Sequence, residues 1–388
     1  MSQRRATAEV NVAAIERNCA RLRAELSGSG SGSGSRSGSG SKSELCVVVK
    51  ADGYGHGAVQ AARAALAGGA SWLAVATAAE ATELRAAGLK DVRVLVMGAL
   101  SEVELGEALA ADADVVVWHE QYVEAVAKAG GGRVHVKLDT GMGRLGTREP
   151  EHASRVVRTA QSTAGVQLAG VMTHFATADE RGDGFFDEQL ELFTRWAGSV
   201  RQEHPGVVVH AANSAATLRD PASHFDMVRC GIAVYGMDPF GVGASQWELQ
   251  PALQLSSYVA EVKCCAAGAS AGYGRTFVAE RDTWLGVLPI GYGDGWRRGL
   301  SNNADVLIAG RRYPLVGTVS MDNITVDLGP GAQAQALRGE QAVLIGAQGE
   351  QRVTAEEVAE RLGTINYEVT CGLSGRVRRV YHRDGEWL

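Results

Sequence analysis

Six cysteines are spread through 388 residues with no CxxC pair and no histidine spaced to complete a zinc site. Zinc ribbons and a disulfide framework are thereby excluded as organising devices. A basic excess is missing too: 38 Lys plus Arg stand against 44 Asp plus Glu, a formal charge of −6. Net charge therefore does not hold this chain on nucleic acid or on an anionic membrane. No apolar run approaches the length that spans a bilayer, and the opening residues MSQRRATAEVNVAAIERN lack the apolar centre of a signal peptide. These absences lead to the expectation of a cytoplasmic protein with neither a membrane nor a nucleic-acid partner.

Hydrophobic residues make up 45% of the chain, enough for a globular protein, and the length suggests two domains or one large barrel with an appendage. A helical pattern over 13–26 is followed by SGSGSGSGSRSGSGSKS (27–43), a tract with no side chains to bury and so expected to be a flexible loop. Short β-branched runs then alternate with alanine-rich stretches of helical period: strands at 45–49, 72–76, 92–97, 114–118, 133–138, 168–172, 207–211 and 225–229. Helical patterns at 57–67, 78–87, 103–111, 120–128, 150–161 and 185–200 fill most of the gaps. Eight such repeats point to an α/β fold with a closed parallel barrel, a doubly wound open sheet being the alternative. Beyond Gly241 the chain turns to short strands between glycine turns, with 354–362 as its one helical pattern. The expected domains are a barrel over 11–248 and a mostly β domain over 249–388 that residues 1–10 join.

In a parallel barrel the active site lies at the carboxyl ends of the strands. The polar residues there are Lys50 at the end of the first strand, Lys137 and Asp139 at the fifth, His174 at the sixth, Asn213 and Ser214 after the seventh and Arg229 at the eighth. An apolar run behind Lys50 desolvates it and favours the neutral amine, the nucleophilic form that attacks carbonyls; the plainer alternative is a packed stem with a solvated ammonium. Gly231, in RCGIAVYG, lets backbone N–H groups approach an anion. KLDTGMGRLG (137–146) joins charges of both signs on one turn, as a surface ion-pair cluster also does.

Taken in order, VVKADGYGHG (48–57), KLDTGMGRLG (137–146), THFATAD (173–179), ANSAA (212–216), VRCGIAVYG (228–236), AGYGRTF (271–277), IGYGDGW (290–296), SMDN (320–323) and INYE (365–368) resemble alanine racemase, nearly from end to end. The resemblance implies a pyridoxal 5'-phosphate enzyme of fold type III, a TIM barrel followed by a mostly β domain, that interconverts L- and D-alanine by two bases and supplies D-alanine for peptidoglycan. By that likeness Lys50 carries the cofactor and works on the D side, while Tyr273 works on the L side. Tyr54, Ser214, the backbone of Gly231 and Ile232, and Tyr367 bind the phosphate, with Asn213 beside them. Arg229 meets the pyridine nitrogen, His174 faces the ring and Arg144 sits by the phenolic oxygen. Lys137 is the position often N-carboxylated in relatives.

The likeness further implies a homodimer with shared sites. The partner subunit supplies Tyr273, with Met321 and Asp322 around the substrate carboxylate and Tyr292 and Arg298 at an entrance beside Asp179 and Ile365. The chain departs from the family pattern at Ser320, where cysteine is common, and at Cys230, where proline is common. A broader racemase acting on serine or basic amino acids is the alternative within the class. A decarboxylase on the same barrel is disfavoured by Arg229, because such enzymes pair the ring nitrogen with a carboxylate. A lone-barrel binding protein is disfavoured by the second domain.

Overall fold

A computed structural model describes residues 4–28 and 43–388. Most of the glycine-serine tract expected to be a flexible loop, residues 29–42, lies outside them. The chain forms two units: one of Ile15–Phe240 with Ala244–Gln250, the other of the residues up to Ala14 with Gly241–Gly243 and Pro251–Leu388.

The strand β1 (Thr7–Asn11) belongs to the second unit. The first unit carries β2 (Glu44–Val48), β3 (Trp72–Val75), β4 (Arg93–Val96), β5 (Asp114–Val117), β6 (Gly132–Lys137), β7 (Val166–Met172), β8 (Val208–His210) and β9 (Met227–Cys230). Each pairs in parallel with the next, and β9 returns to β2 with Cys46 opposite Arg229, closing the barrel. The open-sheet alternative is thereby ruled out. Near-continuous apolar runs dictate this result: strands such as Trp72–Val75 and Asp114–Val117 are buried at every position, which requires cover on both faces. Helices supply the outer cover, and their starts are written locally. Thr77 and Ser101 each close a capping box, with Glu80 and Glu104 respectively.

Three expectations need adjustment. The first barrel strand ends at Val48, so Lys50 opens the following turn rather than closing the strand. Arg229 lies inside β9, which runs on to Cys230. The β unit also holds a second helix, Asn366–Cys371, too short for its period to show in the sequence.

In the second unit, β1 runs antiparallel to β10 (Leu253–Tyr258) and parallel to Arg378–Arg383. Both ends of the chain thus meet in one eight-stranded sheet. A three-stranded sheet of Glu261–Cys265, Thr283–Leu288 and Ile324–Gly329 lies in the same unit, with a small hairpin of Ser270–Ala271 and Phe277–Val278. Among the described residues no helix is long and apolar enough to cross a membrane.

Candidate active site

The turn after β2 is conformationally unusual. Ala51, Asp52, Gly53 and Tyr54 all have φ between 53° and 60°. Non-glycine residues in this left-handed region cost roughly 1–2 kcal/mol each, so neighbouring groups must hold the turn. Asp52 does part of this: its carbonyl accepts the Gly57 N–H at 2.8 Å and its Oδ1 accepts the Ala58 N–H at 3.0 Å. Glu80, in the first turn of the helix Ala78–Ala86 that follows β3, accepts the Ala51 N–H at 2.7 Å. The Tyr54 ring stacks on Tyr235 with centroids 5.1 Å apart, and the Tyr235 hydroxyl donates to Val48 O at 2.9 Å. Lys50 and Tyr54 are therefore aimed by a turn that is fastened to the barrel on two sides.

Tyr54 reaches across to the end of β9. A Cβ added to Gly231 would lie 2.4 Å from the tyrosine hydroxyl, so only glycine fits there. The Gly231 N–H donates to Ser214 Oγ at 3.0 Å. The N–H of Ile232, a residue 1% exposed, has no partner among the described residues. Asn213 fixes Ser214 by capping the helix Ser214–Arg219, its Oδ1 accepting the Ala216 N–H at 2.9 Å. Two hydroxyls and an unpaired buried N–H thus converge in a small cradle suited to an anion.

Arg229 is 3% exposed and fully engaged on one edge. Its Nη2 donates to Thr173 O at 2.8 Å and Ala211 O at 2.9 Å, and approaches His174 Nδ1 at 3.3 Å. Its Nη1 donates to His210 Nδ1 at 2.9 Å. From there a chain runs through the barrel lumen: His210 Nε2 to His135 Nδ1 at 2.8 Å, and His135 Nε2 to Asp114 Oδ2 at 2.9 Å. Because arginine can only donate, His210 must carry its proton on Nε2, and the sequence of donors then ends on the Asp114 carboxylate. Arg133 donates to Asp114 Oδ1 at 2.7 Å and Arg93 also pairs with that carboxylate. Burial alone would raise the Asp114 carboxyl, yet hydrogen bonds from His135, Arg93 and Arg133 hold it well below the usual range.

Cations dominate the rim. Burial lowers the Lys137 amine to about 8, with Arg229 and Arg144 adding to the effect. His174 is held well below its ordinary value by burial and then by Arg229, Lys137, Arg144 and Lys50, so it stays neutral among four positive neighbours. Burial brings Arg229 to about 10, which leaves it charged at neutral pH. Asp139 is spent on local structure: its Oδ1 accepts the N–H groups of Gly141 at 3.1 Å and Gly143 at 3.0 Å, shaping the turn that carries the exposed Arg144.

Within the β unit, Tyr273 stands on the turn of the small hairpin and is 71% exposed, its carbonyl held by Thr318 Oγ1 at 2.8 Å. Met321 (51%), Tyr292 (42%) and Ile365 (60%) are exposed as well, as is Arg298, while Tyr367 is half-buried on the helix Asn366–Cys371. Asp179 is exposed in the loop after β7. Ser320 closes the Met321–Asp322 turn by accepting the Asn323 N–H at 3.1 Å and donating to Asn323 O at 2.7 Å. The Asp322 carboxylate is already paired with Arg376 at 2.6 Å and faces Arg5 at 3.7 Å. A negative group so engaged cannot itself receive a carboxylate. What this turn offers an anion is the backbone N–H of Met321 and of Asp322, neither with a partner among the described residues.

Sequence reading overlooked Glu80, Asp114, His135 and His210. The signal for the histidines was present in RVHVKL and VVVHA, where a lone polar ring sits in an otherwise apolar strand and must find a buried partner.

Two family models match the chain: alanine racemase, N-terminal domain, over residues 10–239, and alanine racemase, C-terminal domain, over residues 252–381. The chain is 41% identical over 350 residues to the alanine racemase of Halalkalibacterium halodurans, an alignment covering 88% of this chain and 89% of that one. It is 37% identical over 383 residues to alanine racemase 1 of Bacillus subtilis, covering 97% and 93%. The crystal structure of alanine racemase from E. faecalis superimposes with a TM-score of 0.88 at 36% identity, covering 98% of each chain.

Proposed function

This chain belongs to the alanine racemase family of pyridoxal-phosphate-dependent racemases, and from that premise we propose that it interconverts L- and D-alanine by exchanging the Cα proton between Lys50 on one face and Tyr273 on the other. The observation that carries this reading is the gathering of Lys50, Lys137, Arg144 and Arg229 around a neutral His174, beside the cradle of Tyr54, Ser214, Gly231 and Ile232. Such a set fits a flat aromatic ligand with a phosphate at one edge and an anionic oxygen at another. Tyr54, Ser214 and the Gly231 and Ile232 backbone, with Tyr367, take the phosphate, and Asn213 holds Ser214 in place. His174 would face the ring and Arg144 the phenolic oxygen. When bound, the cofactor withdraws electrons from Cα and makes its proton labile.

The residues of this chain do the rest. Arg229 would donate to the ring nitrogen of the bound cofactor and, being donor-only, would not give up its proton there, a partner that would keep the cofactor a moderate electron sink. Lys50 takes and returns the proton on the D side. Tyr273, exposed on its own unit, performs the same task on the L side of a second copy's site, so the working form is a homodimer. Met321 and Asp322 of the second copy, through their N–H groups, would hold the substrate carboxylate with Arg144. Tyr292, Arg298, Asp179 and Ile365 border the entrance.

Lys137 carries a carboxyl group in the active enzyme: its lowered amine, at about 8, adds carbon dioxide with loss of a proton, and the resulting anion balances Arg144 and Arg229. A mass spectrum or density map showing an unmodified amine in active protein contradicts this.

The relatives named above are alanine racemases, so a broader racemase acting on serine or basic amino acids is not favoured. The product serves peptidoglycan synthesis in the cytoplasm. The test is incubation of the purified protein with pyridoxal phosphate and L-alanine in heavy water. D-Alanine deuterated at Cα, far in excess of product from L-serine or L-lysine, is expected; comparable turnover of those amino acids contradicts the alanine assignment, and absence of exchange contradicts the two-base reading.

A further inference from the structure

We propose that Glu80 is a positioning residue for Lys50, a carboxylate that fastens the lysine's left-handed turn to the next loop of the barrel rim. Glu80 stands in the first turn of the helix Ala78–Ala86. Its Oε2 accepts the N–H groups of Ala76 at 2.8 Å and Thr77 at 3.1 Å, while Thr77 Oγ1 accepts the Glu80 N–H at 3.2 Å. That much is a capping box, and a capping box needs only one carboxylate oxygen. The other oxygen, Oε1, spans to a different strand end and accepts the N–H of Ala51 at 2.7 Å.

Ala51 follows Lys50 and is the first of the residues with positive φ. Its N–H thus lies where the left-handed stretch of the turn begins. A hydrogen bond donated to a charged acceptor at this point restrains the direction in which Lys50 leaves the backbone, and reactive geometry is sensitive to displacements of about 1 Å.

The chemistry demands a carboxylate. All three donors to the Glu80 side chain are backbone N–H groups, so both oxygens must accept. A glutamine offers one acceptor and one donor and satisfies only one side. Turning its carbonyl toward Ala76 and Thr77 retains two of the three bonds, leaving its amide N–H facing that of Ala51. Glu80→Gln therefore removes the link to the Lys50 turn while keeping size and cap. Thr77→Ala does the opposite, weakening the cap and leaving both Glu80 oxygens in place.

The proposal rests on Lys50 being the base that carries the cofactor, and the test separates the two claims. Full-length wild type, Glu80→Gln and Thr77→Ala are compared by backbone hydrogen exchange, read by mass spectrometry over residues 50–57 and 78–86. Borohydride reduction in the presence of pyridoxal phosphate shows whether Lys50 is the modified residue, and kcat and KM for alanine are measured on the same samples. The expected result is faster exchange over 50–57 in Glu80→Gln alone, with kcat lowered about 10- to 100-fold and KM changed much less, while Thr77→Ala loosens 78–86 and keeps kcat. Equal exchange over 50–57 and equal kcat in the two variants overturn the proposal. An unmodified Lys50, with exchange over 50–57 still accelerated only in Glu80→Gln, upholds the fastening and overturns the reading of Lys50 as the cofactor-bearing base.

Discussion

At the scale of single residues, the polar chain inside the barrel decides the state of the site. Asp114, His135 and His210 are 0% exposed, and every proton in their chain is directed from Arg229 toward the carboxylate. Replacing that carboxylate leaves His135, Arg93 and Arg133 without their shared anion. Asp114→Asn is expected to lower unfolding stability by about 3 kcal/mol, the low end for breaking a buried pair because both guanidinium groups keep some exposure; urea unfolding measures this. The same environment sets a pH dependence. His174 and His210 are held well below their ordinary values by burial and then by Arg229, so the unfolded chain takes up protons that the folded protein refuses. Their contribution is complete above the unfolded value near ~6.5 and is lost as pH falls below it, each histidine adding up to about 1.4 kcal/mol per pH unit. Asp114, depressed by its hydrogen bonds, adds a further loss only below about pH 4. Stability measured in urea at pH 7 and pH 5 should drop accordingly, and an unchanged midpoint contradicts the neutral assignment.

At the scale of elements, strand β7 makes room for the chain that crosses it. β6 and β8 are not neighbours, so His135 meets His210 over β7, and the residue beneath them is Gly170. A Cβ there would lie 2.2 Å from His135 Nδ1 and 2.9 Å from Val208 O. Gly170→Ala must push the imidazole off His210, and overpacking of this kind costs about 1–3 kcal/mol. Thermal unfolding should show that loss, with kcat reduced as well because His210, the acceptor for Arg229 Nη1, loses the His135 partner that fixes its ring. A variant as stable and as active as wild type contradicts the argument. The hairpin carrying Tyr273 illustrates the converse: its turn is held through Thr318 and it buries little of the tyrosine, as suits a side chain proposed to work on another subunit.

At the scale of the whole molecule, the proposed site pairs Lys50, in the barrel unit, with the Tyr273 of a second copy of the chain. Lys50→Ala and Tyr273→Ala homodimers should each be inactive, and mixing them under conditions of subunit exchange should restore about a quarter of wild-type activity per site by random assortment. Proven heterodimers without recovered activity contradict shared sites. Much of this architecture was legible beforehand. Buried strands are apolar at successive positions, so all eight barrel strands stand out as local runs, and the capping residues Thr77 and Ser101 mark where two of the helices begin. That Lys50, His174, Ser214 and Arg229 lie at or near the carboxyl ends of barrel strands was legible from the apolar runs that precede them, and such ends are where a parallel barrel places its chemistry.

The sequence by itself determined the elements, their alternation and the residue types at the rim, since these follow from short-range periodicity, caps and turn residues. Tertiary structure alone decided that Asp114, His135, His210 and Arg229, separated by up to 115 positions, form one hydrogen-bonded chain. It alone decided that Glu80 reaches back to Ala51, and that Asp322 is committed to Arg376 and Arg5. The physical reason is the same in each case: a buried polar group must find a partner, and only barrel closure and the packing of distant turns determine which partner lies within about 3 Å.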